Sequence, residues 1–157
     1  MLQLTFRYDQ TSSRLQVEGV PDFSRGHNQN TLGILSGWKL QLLGSSELEG
    51  KLDHLHAMMT TVLPYARYRL SGVRRDFGHQ DSPICISAHG DQHQLVLRSS
   101  QPNTNPLTLF LDDSELSDLV RCLDALRLDP RVRISWKIPV EKPLTRKELV
   151  QKVPILK

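Results

Sequence analysis

From Leu2 to Tyr8, apolar residues fall on every even position and polar ones on every odd position, the period of a half-buried β-strand. Asp9 to Ser13 is turn chemistry. Leu15, Val17 and Val20 then mark a second strand, whose other face carries Arg14, Gln16 and Glu18, so the two predict a hairpin. Val20 to Thr31 mixes Pro21, Gly26, His27, Asn28 and Asn30 without a period and predicts a long exposed loop. Trp38, Leu40 and Leu42 alternate with Lys39 and Gln41, which predicts a third strand.

At Ser46 the period changes, because Ser46 followed by Glu49 has the spacing of a helix capping box. Leu48, Leu52, Leu55, Met59, Val62 and Ala66 recur at steps of three and four and place one apolar stripe on a helix. Pro64 predicts a kink or restart before Tyr65, and Ser71-Gly72 a stop.

The second half repeats this order. Ile84, Ile86 and Ala88 alternate, His89-Gly90-Asp91 turns, and Leu95 with Leu97 and then Leu107, Leu109 and Leu111 supply two further strands. Asp113-Ser114 predicts the cap of a second helix, with Leu116, Leu119, Val120, Leu123 and Leu126 as its inward stripe and an end near Asp129-Pro130. Val132, Ile134, Trp136 and Ile138 predict a last strand.

Strands followed by a helix, twice, predict an α+β fold: a mostly antiparallel sheet of about seven strands with two amphipathic helices on one face. Laid over one another, Ser46-Glu47-Leu48 matches Ser114-Glu115-Leu116, while Leu52 and Leu55 match Val120 and Leu123. Two readings stand: a duplicated βββα unit with halves 1–73 and 82–130, or two amphipathic helices sharing a capping phrase. Either way, 1–140 reads as one domain. The basic tail, 141–157, carries a second capping box at Thr145-Arg146-Lys147-Glu148 before Leu149, Val150 and Val153, which predicts a short terminal helix.

Composition narrows the class without choosing a function. The 157 residues are 38% hydrophobic and 24% charged, as in an ordinary globular domain. No run approaches the roughly 18 apolar residues of a membrane span, and the N-terminus does not read as a signal peptide. The expected location is cytoplasmic. The two cysteines, Cys85 and Cys122, are too few for a disulfide framework, and each sits in an apolar stretch where a reduced core thiol is expected.

Twenty Lys and Arg against seventeen Asp and Glu leave a net charge of +3, so distribution matters more than total. Alternation places Arg7, Arg14, Lys39, Arg98, Arg133 and Lys137 on the sheet's outer face, with Glu18 the only acid among them. Tyr65, Arg67, Tyr68 and Arg69 interleave aromatic rings with guanidinium groups that could stack on bases and hold phosphates; the plainer reading is a helix end with solvated arginines. Arg146 and Lys147 add to the basic tail, which would suit a partner or an anionic membrane surface.

No nucleophile elbow, phosphate loop, paired-cysteine motif or dinucleotide fingerprint occurs, so no catalytic, metal or cofactor residue is assigned. His54 and His56 lie two apart on a helix and point in different directions. His89 and His93 flank a turn holding Asp91, and an enzyme reading would need a pocket that gathers one of these beside another polar group.

The run Leu35-Ser36-Gly37-Trp38-Lys39-Leu40, the run Leu70-Ser71-Gly72-Val73, and Leu107-Thr108-Leu109 leading into Asp118-Leu119-Val120 resemble a family of uncharacterised cyanobacterial proteins known as a domain of unknown function. The resemblance spans most of the chain and implies a cyanobacterial source. Its motifs imply structure, not an active site. Longer relatives append a proline-rich stretch and a hydrophobic segment that this sequence lacks. By topology alone the pattern is also similar to the duplicated strand-rich units of Whirly and Pur-type single-stranded nucleic-acid binders. The expectation is a non-enzymatic module that binds a protein partner; the alternative is a single-stranded nucleic-acid binder using a basic sheet face.

Overall fold

The computed structural model describes residues 3–44, 47–70, 82–99 and 104–136. Strands β1 (Leu4–Asp9), β2 (Ser13–Val20), β3 (Ile34–Leu42) and β4 (Leu48–Gly50) precede helix α1 (Leu52–Leu70). Strands β5 (Ile84–His89), β6 (Gln92–Leu97) and β7 (Leu107–Leu111) precede helix α2 (Asp113–Arg127). The fold is α+β with antiparallel strands throughout. The strands divide into two meanders, a sheet of order β1-β2-β3-β4 and a sheet of order β5-β6-β7.

Alternation set the inward faces. Leu15, Val17, Leu40 and Leu42 of the first sheet and Ile84, Ile86, Leu95 and Leu111 of the second are buried. Packed in the same hydrophobic cluster are Leu55, Met58, Met59 and Val62 of α1 and Leu116, Leu119, Leu123 and Leu126 of α2. α1 packs on β3, β5 and α2, whereas α2 packs on β1, β2, β6 and β7. Each helix therefore touches both sheets, and each sheet turns its other face outward.

Four expectations are corrected. The capping phrase at Ser46 does not start a helix, because Leu48–Gly50 pairs with β3 as Leu40↔Leu48 and Trp38↔Gly50. Gly50 permits this: a Cβ there would lie 3.0 Å from the Trp38 ring, whose Nε1 donates to the Lys51 carbonyl at 2.8 Å. α1 begins at Leu52 in consequence. The helix also runs through Pro64 as one element. Residues 61–65 are all buried, and their packing offsets the roughly 3 kcal/mol a mid-helix proline costs. Its expected stop at Ser71-Gly72 lies outside the described residues.

The last predicted strand is reduced to a single parallel bridge, Leu32↔Val132, closed by Leu32 N–H to Arg131 O and Arg133 N–H to Leu32 O, each 2.8 Å. Ile134 and Trp136 follow as partly buried cover for the core, and Ile138 is outside the described residues. Finally, α2 is capped by Asp112 rather than Asp113-Ser114, in a reciprocal box with Glu115. Four strands precede α1 and three precede α2, and the shared phrase puts Leu48 on a strand and Leu116 on a helix.

The loop after β2 is exposed, as expected, but locally ordered. Asp22 caps a short 3-10 turn at Phe23–Arg25 that ends on Gly26 at φ 75°. The Asn28 side-chain oxygen accepts from the Asn30 N–H and the Thr31 hydroxyl.

Candidate functional site

The first sheet's outer face carries acids in register with its cations. One row across the strands is Arg7, Gln16, Lys39 and Glu49. In the neighbouring row Asp9 accepts from Arg14 Nε at 2.8 Å and pairs with Arg7 Nε at 3.2 Å. Glu18 accepts from Gln3 and Gln16. The basic sheet face is thus corrected to a charge-balanced one. The alternation read Asp9 as turn and Glu49 as helix; β1 extends to include Asp9, and Glu49 lies on the additional strand β4. These exposed pairs contribute little stability, about 0–1 kcal/mol each.

The other expected cations lie elsewhere. Arg98 follows β6 of the second sheet, where Nη1 donates to Ser82 O at 3.0 Å and Cys85 Sγ at 3.2 Å. Arg133 is exposed beside the Leu32 bridge. Lys137, Arg146 and Lys147 fall outside the described residues.

Tyr65 and Tyr68 are not stacking platforms. Tyr65 is fully buried and Tyr68 is 7% exposed, so neither ring presents a face to a base. Met58, Val62 and Tyr65 follow at steps of four and three, so helical spacing already marked Tyr65 as inward. Arg67 is exposed and Arg69 half-buried.

Three elements meet at His93. The Tyr65 hydroxyl of α1 lies 2.6 Å from His93 Nδ1, and His93 Nε2 lies 2.6 Å from Asp113 Oδ1 at the start of α2. With Asp113 as carboxylate, a neutral ring carries its proton on Nε2 and accepts the Tyr65 hydroxyl proton at Nδ1. The His93 side chain is 1% exposed and that of Asp113 85%, so the relay runs from core to surface. Both ring nitrogens are engaged. The His89, Asp91 and His93 turn does not converge: His89 faces outward, 5.1 Å from the Phe110 ring, and Asp91 is exposed. His93 shares the inward parity of Leu95, the signal available in sequence; nothing local pointed to Asp113. Among the described residues, no cluster of three His, Cys, Asp or Glu could hold a metal.

The outer face of the second sheet is chemically distinct. Cross-strand rows Cys85, Val96, Thr108 and Ser87, Gln94, Phe110 cover it, with His89 opposite Gln92 at the turn. These eight positions include no Asp, Glu, Lys or Arg, and Phe110 is 47% exposed; Arg98, the next outward position after Val96, lies at their margin with Nη1 3.2 Å from Cys85 Sγ.

With this geometry in place, comparison with known families matches the chain to DUF4335, a domain of unknown function, over residues 6–157. The chain belongs to the DUF4335 family. Comparisons with curated proteins and with solved structures return no match. In this DUF4335 chain, no helix of the described residues is long and apolar enough to cross a membrane.

The perturbed acids of the DUF4335 chain fasten α2 to the first sheet. The Arg131 guanidinium, with help from the Tyr8 hydroxyl at 2.7 Å, holds the Asp129 carboxyl down to about 2. Burial, and then Asp129, push the Tyr8 phenol well up. The Ser12 hydroxyl, 2.6 Å away, lowers Asp118, while burial raises the Cys122 thiol. Of the two free cysteines, Cys122 is fully buried; Cys85 is half-buried on the outer face of β5.

Because Asp129 is depressed in the folded state, its stabilisation is complete above the unfolded carboxyl pKa near 4 and is lost as pH falls toward about 2. Asp129→Asn is expected to lower unfolding free energy at pH 7 by about 2 kcal/mol and to flatten the decline between about pH 4 and 2. Urea unfolding across that range tests this, and an unchanged profile would remove Asp129 from the account.

Proposed function

We propose that this DUF4335 chain is a non-enzymatic, cytoplasmic protein-binding module of cyanobacterial type that docks a protein partner on the outer face of its second sheet. The observation that carries the reading is the contrast between the two outer faces. The first is laced with paired charges whose desolvation would oppose burial. The second has uncharged cross-strand rows, with Arg98 at their margin already donating to Ser82 O and Cys85 Sγ, and presents Phe110, an aromatic anchor among hydrogen-bonding groups. The partner fitting it is an uncharged protein surface with an apolar recess for the phenyl ring. Against this, the nucleic-acid reading has lost its one-sided cation surface and both tyrosine rings.

The test uses three baits in a cyanobacterial lysate: the unmodified chain, Phe110→Glu, and Arg7→Glu with Lys39→Glu. Phe110 is exposed enough for the variant to fold, which circular dichroism verifies. Proteins retained by the unmodified chain should be lost with Phe110→Glu and kept with the charge reversals, since a central aromatic anchor is worth at least about 2 kcal/mol, or roughly thirtyfold. Fluorescence anisotropy with a labelled single-stranded oligonucleotide runs in parallel. Retention indifferent to Phe110, or micromolar oligonucleotide binding that weakens steeply with salt, would overturn the proposal.

A further inference from the structure

A groove of about 290 Å³ lies on the helix side of the second sheet, between the C-terminal half of α1 and the first turns of α2. It is separate from the proposed docking face. Its apolar wall is Ala66, Leu116 and Val120; its polar groups are Arg69, Asp113 and the Ser117 hydroxyl, with His93 behind them. We propose that this groove binds a small zwitterion with an aliphatic body, of the class of a free branched-chain amino acid.

The charge arrangement carries the inference. Arg69 and Asp113 line one groove without forming an ion pair with each other or, for Arg69, with any described residue. Opposite charges that share a groove yet stay apart fit a ligand that brings both complements. A carboxylate meets the Arg69 guanidinium, for which the fork of donors is suited. An ammonium meets Asp113 Oδ2, because Oδ1 is committed to His93 at 2.6 Å. A simple anion would face Asp113 and a simple cation would face Arg69, each with one charge unanswered.

The acid is preorganised. Tyr65 holds the buried His93 ring, and His93 holds one carboxylate oxygen, so Asp113 presents the other in a set direction although its side chain is 85% exposed. This gives the Tyr65, His93 and Asp113 relay the role of positioning the acid. The three aliphatic wall residues match an aliphatic body, and the volume sits at the lower end of small-molecule sites, about 300 Å³, too small for a nucleotide cofactor.

The experiment is isothermal titration of the full chain with L-leucine, with 3-methylbutanoate, which lacks the ammonium, and with 3-methylbutylamine, which lacks the carboxylate. Leucine should bind, and each singly charged analogue should bind about tenfold more weakly, the effect of one charge-assisted contact. Arg69→Gln should weaken leucine about tenfold and leave the amine unchanged; Asp113→Asn should weaken leucine and the amine and leave the acid unchanged. Asparagine keeps a carbonyl acceptor for His93, so that variant stays folded, and thermal unfolding checks both. No heat at about 10 mM leucine, leucine and 3-methylbutanoate binding alike, or leucine binding indifferent to either variant would each overturn the zwitterion site.

Discussion

His93→Ala is expected to lower the unfolding free energy by about 4 kcal/mol, combining a cavity with the loss of one buried and one part-buried hydrogen bond. The imidazole is fully buried where β6, α1 and α2 meet, with Tyr65 and Asp113 each 2.6 Å away. At roughly 2–4 °C per kcal/mol for a chain of this size, the midpoint should fall by about 10 °C. Removing the exposed end of the relay costs less: Asp113→Ala gives up an 85%-exposed carboxylate and should lose only about 1 kcal/mol. Urea unfolding of the two variants measures the difference. Comparable losses would mean that the relay is stabilised from its surface end, and a His93→Ala loss below about 1 kcal/mol would mean that the core closes over the site.

Gly19→Ala should cost about 3 kcal/mol through overpacking. The register of β2 on β3 shifts between Glu18 and Gly19, and at that bulge a Cβ on Gly19 would fall on the Ile34 carbonyl oxygen and lie 3.0 Å from Leu32 Cγ. The obstruction is backbone, and backbone in a paired strand cannot swing aside as a side chain tip can. Gly37→Ala supplies the comparison on the partner strand. Its Cβ would meet only the Gly50 carbonyl oxygen at 3.7 Å, an ordinary contact, so its effect should stay within about 0.5 kcal/mol. If thermal unfolding shows the two alanines costing the same, the bulge is not the origin of the Gly19 requirement.

The candidate sites divide along the same line as these predictions. Phe110 was legible as a strand residue, but its exposure followed only from the outward parity of β7 in a sheet whose paired rows Cys85, Val96, Thr108 and Ser87, Gln94, Phe110 happened to be uncharged. Tyr65 and Tyr68 were misjudged because an aromatic and arginine phrase was weighed by composition, although the spacing from Met58 and Val62 already pointed Tyr65 inward. The six-cation face failed for another reason. The end of β1 brought in Asp9 and the unforeseen strand β4 brought in Glu49, in register with Arg7, Arg14 and Lys39, and a second sheet took Arg98 away.

What the chain's own order of residues determined is the set of elements with a strong period: β1, β2, β3, β5, β6 and β7, both helices, and the inward stripes from Leu15 to Leu126. Periods of two and near three and a half are consequences of local backbone geometry, so a stretch of sequence contains them whole. Tertiary structure decided the rest: the short β4, which borrows its hydrogen bonds from β3; the continuity of α1 through Pro64; the division into two sheets; and the meeting of Tyr65, His93 and Asp113. Each of these depends on groups far apart in sequence supplying a hydrogen bond or a packing surface, and no local pattern records which distant group will arrive.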